Sequence, residues 1–376
     1  MAYRTTRKYE KNETIILAFD IGTTHSAVSF SYAYPGEFPD VRSVVKWPGQ
    51  PEASGDSKAS IPTIVAYQGG EAQALGAEAR EHLDDDEYQI ARWFKLHAHP
   101  ESMRSAQAST GFDQLEIPPL PLGVTLSQVY ADFIRYIYKA TKEFFINNTP
   151  NGQRIWSRLE GTMPIIFCTP NGWDLSEHAF LSGAAIRAGI VSESNAEDRL
   201  WFITEGEASV HYSLAHTKTA EWLKKGTVFA VTDAGGSTVD STLYRCRSES
   251  PLVLEEVCAS VCVQAGGVYV DRAMEEFLKA KLGDSSYGDS DAISAMTRQF
   301  EQKIKRVYDG HQVSNVIHFG MARDNDKDHG IIKGKLTLNR DEVGATYAGV
   351  ITHIKNSCQS LLGSREVQVG GLSVRH

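Results

Sequence analysis

The chain has 376 residues, 41% hydrophobic and 23% charged, with a net charge of −9 and a pI near 5.8. That length predicts two domains, and the acidic balance argues against a general nucleic-acid or membrane-surface binder while leaving a single nucleotide open as a ligand. Cys168, Cys246, Cys258, Cys262 and Cys358 include no Cys-x-x-Cys pair, and with no secretory signal over residues 1–13 and no apolar run near the ~20 residues of a membrane span, the thiols read as reduced and the expected compartment is the cytoplasm.

In chain order, residues 1–13 read as a loose tail. Residues 14–33 read as a hairpin: Ile15-Ile16-Leu17-Ala18-Phe19 is a strand buried on both faces, and Ala27-Val28-Ser29-Phe30-Ser31-Tyr32 a strand with one wet face. Residues 34–60 read as loop anchored by Trp47, 61–67 as a strand, 72–83 as a helix, 84–87 as an acidic turn and 88–97 as a further amphipathic piece. After an irregular, proline-bearing stretch over 98–122, the spacing of Val129, Phe133, Ile137 and Phe144–Phe145 predicts a helix over 125–147. A strand over 163–169 stops at Pro170-Asn171-Gly172, and a helix over 176–188 is capped by Gly189. A strand over 201–204 and a helix over 205–215 follow. The strand over 227–232 repeats the opening pattern, and 239–244 alternates outward from it. Further on, helices are expected over 269–282, 292–308 and 341–362, strands within 314–320 and 331–338, and a last strand over 366–369 ending at Gly370-Gly371.

The chemistry concentrates in two turns. A strand, an Asp, glycine and threonine, then an outgoing strand occur at Phe19-Asp20-Ile21-Gly22-Thr23-Thr24 and again at Thr232-Asp233-Ala234-Gly235-Gly236-Ser237-Thr238. Glycine lets the backbone approach a ligand, so such turns can aim several N–H groups at one phosphate. A single Asp-Gly turn is as easily an ordinary hairpin, but two copies with matching threonines make chance the weaker account. Duplication predicts two similar halves facing each other. Asp20 and Asp233 would repel phosphate, so they call for a cation between, and Mg²⁺ binds through few carboxylates, water and phosphate oxygens.

Asp20 to Ser26 resembles the first phosphate loop of the 70-kDa heat-shock proteins, in the actin-like ATPase superfamily, and Asp233 to Asp240 resembles their second. Thr204-Glu205-Gly206-Glu207-Ala208-Ser209 is similar to their connecting motif, and Gly266-Gly267 followed by Asp271 to the start of a smaller subdomain. The resemblance implies an α/β fold, a duplicated ribonuclease H-like architecture with two lobes around a nucleotide cleft. Lobe I would cover 14–225 with an insert at about 41–122, and lobe II 226–376 with an insert at about 266–330, truncated at its C-terminus. It implies ATP or ADP with Mg²⁺ as cofactors, slow ATP hydrolysis and protein partners or co-chaperones, whereas the family's β-rich peptide-binding domain is expected to be lacking here. Asp20 and Asp233 would hold the metal through water. Thr23, Thr24, Gly22, Gly235, Gly236, Ser237 and Thr238 would surround phosphate, with Gly266 and Gly267 close by, and Lys95, Glu205 and Thr238 would join in catalysis. Glu301, Lys305 and Arg306 would grip adenosine, at a spacing offset by about one residue, and Gly370 and Gly371 would end the last nucleotide-contacting strand. Where the family has proline after the glutamate this chain has Gly206, and Ser237 replaces a third glycine.

Two alternatives stand beside this reading: a nucleotide-binding interaction module with weak catalysis, and a small-molecule kinase of the same superfamily. His97, His99 and Glu101 read as surface loop rather than a metal site, and Phe133, Tyr136, Ile137 and Phe144 as core. Asn147-Asn148-Thr149 is a sequon that a cytoplasmic chain leaves unmodified.

Overall fold

A computed structural model describes residues 2–4, 8–50, 59–101, 103, 117–216, 222–249 and 252–363. In chain order the strands are β1 (Ala2–Arg4), β2 (Thr14–Ile21), β3 (His25–Ala33), β4 (Asp40–Ser43), β5 (Ser60–Pro62), β6 (Ile64–Gln68), β7 (Glu71–Leu75), β8 (Gln89–Arg92), β9 (Ile165–Thr169) and β10 (Leu200–Thr204). They continue as β11 (Val228–Ala234), β12 (Val239–Glu249), β13 (Leu252–Glu256), β14 (Val261–Val263), β15 (Ser314–His318), β16 (Ile331–Ile332) and β17 (Lys335–Asn339). The helices are α1 (Leu126–Asn148), α2 (Gly152–Leu159), α3 (Leu175–Ala188), α4 (Ala196–Arg199), α5 (Glu205–His216), α6 (Gly267–Leu282), α7 (Ser290–Gln299) and α8 (Arg340–Leu362). The architecture is mixed α/β with several sheets. No helix among the described residues is long and apolar enough to cross a membrane.

The largest sheet has seven strands, in the order β1-β4-β3-β2-β9-β10 with β5 added beside β3. β2 pairs antiparallel with β3 and parallel with β9, and β9 pairs parallel with β10. A parallel neighbour needs a crossover; α1 and α3 supply the helical connections. α1 starts where the Thr125 side chain accepts the Gln128 N–H, and it buries Val129, Phe133, Ile137 and Phe145 as its spacing predicts. α3 carries a capping box, in which Asp174 and Glu177 satisfy each other's backbone N–H groups, and ends at Gly189 with φ +77°. One charged side chain is part of this core: buried Arg199 donates to the carbonyls of Met163 and Ile190, both at 3.0 Å.

The second sheet is β11-β12-β13, with β14 pairing β12. Two smaller sheets, β15-β17-β16 and β7-β6-β8, complete the set. A second core gathers α6, α7, α8 and the β15–β17 sheet around Met274, Leu278, Met296, Phe300, Leu336 and Val343.

Several local expectations change. Residues 72–83 are not one helix: Glu71–Leu75 is a strand on β6, followed by a short 3₁₀ turn over Glu78–His82. Pairing with β6 overrides the helical propensity of an alanine-rich stretch. Residues 88–97 divide into β8 and a 3₁₀ turn over Phe94–Ala98. The supposed tail and loop contain β1 and β4, which pair with each other, while Trp47 is buried as expected. Residues 292–308 start as α7 but pass into a π turn over Phe300–Ile304. α2, α4, β13 and β14 have no counterpart in the sequence reading. In the second hairpin the burial is reversed: β11 leaves every second residue exposed, all on one face of the strand, while β12, flanked by neighbours, is buried along most of its length. The expected strand over 366–369 lies outside the described residues.

The strand that delivers the first turn is held by Phe19, fully buried and edge-to-face with Phe167 of β9 at 5.6 Å between ring centroids. Phe19→Ala is expected to cost about 3–5 kcal/mol of unfolding free energy by loss of apolar contact and cavity formation. Urea denaturation reads this directly, and a loss below about 1 kcal/mol would show that the ring does not anchor β2.

Candidate functional site

Both glycine turns sit at the ends of paired strands. The first leaves β2 after Asp20, and a Cβ at Gly22 would lie 2.2 Å from the His25 carbonyl oxygen, so only glycine permits this turn. Thr63 braces it, donating its N–H to Thr24 O at 2.9 Å and sharing a 2.7 Å hydrogen bond with Ser26 Oγ. The second turn leaves β11 after Asp233, and Gly235 N–H donates to Thr238 O at 2.9 Å. The Gly266-Gly267-Val268 segment lies against it: three successive N–H groups donate to the carbonyls of Ser237, Gly235 and Gly236 at 2.8–3.0 Å. Gly266 and Gly267 thus support the turn from behind.

The two turns touch. Thr23 Oγ1 and Ser237 Oγ share a buried hydrogen bond of 2.6 Å. A Cβ at Gly236 would come within 2.7 Å of Thr24 Oγ1, so glycine is what lets the first turn lie on the second. Ser237, a departure from the heat-shock-70 pattern, spends its hydroxyl on this junction. Together the turns bound a cavity of about 160 Å³ lined by Asp20, Gly22, Thr23, Thr24, His25, Lys95, Glu205, Asp233, Gly235, Gly236, Ser237 and Thr238. All five residues expected in catalysis line it.

Lys95 reaches this cavity from an unusual local structure. Trp93, with φ +55°, reverses the chain into the Phe94–Ala98 turn. Phe94 enters the first core, Leu96 enters the second, and Lys95 points between them. Its ammonium is 5% exposed and donates to Glu205 Oε1 at 2.8 Å. Burial alone would lower the lysine pKa; Glu205, Asp20 and Asp240 outweigh it and hold the ammonium above its ordinary range. Glu205 is the first residue of α5, whose dipole favours a carboxylate there.

The site carries excess negative charge. Asp20, Asp233 and Glu205 share the cavity with Lys95 as its one Lys or Arg lining side chain. Buried Asp240, opposite Asp233 in the β11–β12 register, adds another carboxyl group. Its Oδ1 is buried without a hydrogen-bond partner among the described residues. Burial pushes its carboxyl up to about 6, and Glu205 adds to the rise against hydrogen bonds from Cys262 and Thr238. Oxygen donors in this number fit Mg²⁺. Among the described residues no three side chains converge closely enough to hold a metal alone, so a cation here would draw on phosphate or water. Sequence reading quoted Asp240 as part of a motif but gave it no role; its period-two spacing behind Thr238, facing the cavity strand, was the available signal.

A second cavity of about 690 Å³ shares Thr23, Thr24 and His25 with the first, and Arg80, Asp271 and Glu301 help line it. Lys305 and Arg306 are not among its lining residues, although Lys305 lies close to Asp271 and Arg306 to His25, which are. Arg306 Nη2 and Arg80 Nη2 lie 3.4 and 3.3 Å from His25 Nε2. Burial, then Arg80, Arg306 and Lys305, push the His25 imidazole down to about 3, so it is neutral and accepts. Lys305 donates to Asp271 Oδ2 at 2.6 Å and Gly267 O at 3.3 Å. A π turn over Phe300–Ile304 immediately precedes Lys305. Gly370 and Gly371 lie outside the described residues.

No protein-family model matches the chain. A curated human protein does. The chain is similar to heat shock 70 kDa protein 12B, with 25% identity over 201 residues. That stretch is 53% of this chain and only 28% of the human protein. It agrees with a distant heat-shock-70 likeness.

Buried Asp271 provides a pH test. Burial pushes its carboxyl up to about 7; Lys305 opposes the rise and Glu301 adds to it. A folded-state pKa raised above the unfolded value of about 3.9 gives a contribution that is fully present below about pH 4 and lost as pH rises through about 7. The stability of the wild-type chain relative to Asp271→Asn should therefore fall across that window in urea titrations. A difference that does not vary with pH would contradict the assignment.

Proposed function

We propose that this chain binds MgATP in an actin-like, heat-shock-70-type fold and hydrolyses it slowly. In this reading 14–225 and 226–376 are two lobes, and the 160 Å³ cavity holds the phosphates where they meet. The observation that carries the proposal is the closure of two like Asp–Gly–Thr turns on each other through Thr23 and Ser237. The larger cavity beside them, lined in part by Arg80, Asp271 and Glu301, would take the nucleoside; its size suits a small ligand. The human relative's name supports the family side of the reading.

The residues divide the chemistry as follows. Backbone N–H groups of both turns, with the hydroxyls of Thr24 and Thr238, donate to phosphate oxygens. Asp20 and Asp233 hold the water shell of Mg²⁺, which when bound neutralises phosphate charge. Lys95, kept charged by its carboxylate neighbours, stabilises negative charge that builds on the transferred phosphoryl group. Glu205, fixed by Lys95, orients the attacking water and accepts its hydrogen bond. Phosphoryl transfer depends on positioning and charge neutralisation, which this arrangement provides without a covalent intermediate.

Isothermal titration with MgATP, followed by phosphate-release assays, tests the proposal. Wild type should bind, and Asp20→Asn should weaken Mg²⁺-dependent binding by about tenfold, roughly 1.4 kcal/mol. Glu205→Gln should retain binding and lose phosphate release. Absence of binding at millimolar MgATP would overturn the reading, and binding with no release from wild type would reduce it to a nucleotide-responsive interaction module.

A further inference from the structure

The loop between β9 and α3 reaches Lys95 on one side and Gly206, the residue after Glu205, on the other. On the lysine side, the Trp173 ring centroid lies 5.8 Å from Lys95 Nζ, a cation–π distance. The Trp173 indole N–H donates to His99 Nδ1 at 3.0 Å, fixing the ring. On the glutamate side, Asn171 Oδ1 accepts the backbone N–H of Gly206, the residue after Glu205, at 3.4 Å. Asn171 Nδ2 donates to Thr242 Oγ1 at 2.5 Å, and Thr242 shares a 3.1 Å hydrogen bond with Ser260.

The first-turn N–H groups of a helix have no partner within it. In α5, Thr204 Oγ1 accepts the Glu207 N–H at 3.2 Å, and Asn171 serves the Gly206 N–H from outside the helix. A proline at 206, as in the heat-shock-70 pattern, would present no N–H to accept. A Cβ there would also come within 3.1 Å of Asn171 Nδ2 and 3.3 Å of the Tyr244 hydroxyl. Glycine at 206 and asparagine at 171 therefore belong together.

We propose that Asn171 is a positioning residue that sets Glu205 against Lys95 and ties the pair to β12, so that the two sheets meeting at the cavity move the glutamate together. Resting on the ATPase reading above, the inference names the side chain that holds the water-orienting carboxylate in place. Asn171 touches neither phosphate nor water in this scheme; it acts through Gly206. Its Nδ2 bond crosses from the seven-stranded sheet to the β11–β14 sheet, and its Oδ1 bond ends beside Glu205. A shift of β12 is thereby passed to the first turn of α5, where small displacements of a catalytic group cost large factors in rate.

The test compares wild type, Asn171→Ala, Gly206→Pro and the double variant by MgATP calorimetry, single-turnover phosphate release and urea unfolding. Asn171→Ala should leave the MgATP Kd within about twofold and slow release roughly 10- to 100-fold. In the Gly206→Pro background, where the donor is gone, the same change should cost much less. In unfolding, Asn171→Ala should lower the midpoint of the wild-type chain more than that of the Gly206→Pro chain. Equal losses in both backgrounds, or a Kd that weakens in step with the rate, overturn the proposal. If wild type binds no MgATP, the nucleotide reading fails separately, and the unfolding cycle alone decides: non-additivity upholds the hold of Asn171 on Gly206 and additivity overturns it. Should Asn171→Ala not fold, Thr242→Val, which removes the hydroxyl that anchors Asn171, is read against the same two outcomes.

Discussion

Thr23 and Ser237 share one hydrogen bond of 2.6 Å across 214 residues of sequence, and beside it Thr24 fills the space that Gly236 leaves open. This junction decides where everything else in the site lies. A buried hydroxyl pair contributes about 1 kcal/mol when made and costs more when one partner is left alone, so the bond resists opening without locking the turns. Each turn is backed in its own way: Thr63, between β5 and β6, holds the first, and the amides of Gly266, Gly267 and Val268 at the start of α6 hold the second. The contact therefore brings two rigid strand ends together, and the hydroxyls and amides of both face one volume.

Charge is the second constraint. Three carboxyl groups, Glu205, Asp20 and Asp240, act on the ammonium of Lys95, and a fourth, Asp233, lines the same cavity. Burial makes such an imbalance costly unless a cation enters or a carboxyl takes a proton. The raised Asp240 carboxyl moves toward the proton solution; Mg²⁺ with phosphate would be the other. The same surroundings keep Lys95 charged in a position where burial alone would favour the neutral amine. Phe94 and Leu96, lodged in two different cores, fix the lysine between them, so its reach into the cavity depends on both halves of the chain being in place.

Much of this was legible from local pattern, and the limits are physical. The two Asp–Gly–Thr turns and α1 announce themselves because turn chemistry and helical periodicity act over a few residues. The junction does not: in the sequence Ser237 only stands where a third glycine is usual, and the folded chain alone shows its partner 214 residues away. Asn171 sat in a motif read as a strand stop, because its partners at 206 and 242 are distant in sequence. Residues 72–83 misled because alanine-rich spacing suits a helix in isolation, whereas β6 captures Glu71–Leu75 as a strand. β11 is as apolar as β2, yet one of its faces stays exposed, which strand composition alone does not reveal. A π turn over Phe300–Ile304 interrupts the helix expected over 292–308, and no periodicity reveals it.

The central claim is that two separate turns form one phosphate site. A crystal structure of the chain grown with MgADP tests it most directly. The account predicts the diphosphate between the turns, within hydrogen-bond distance of backbone N–H groups on both the Gly22–Thr24 side and the Gly235–Thr238 side. A nucleotide bound elsewhere, or held by one turn with the other disengaged, would contradict it.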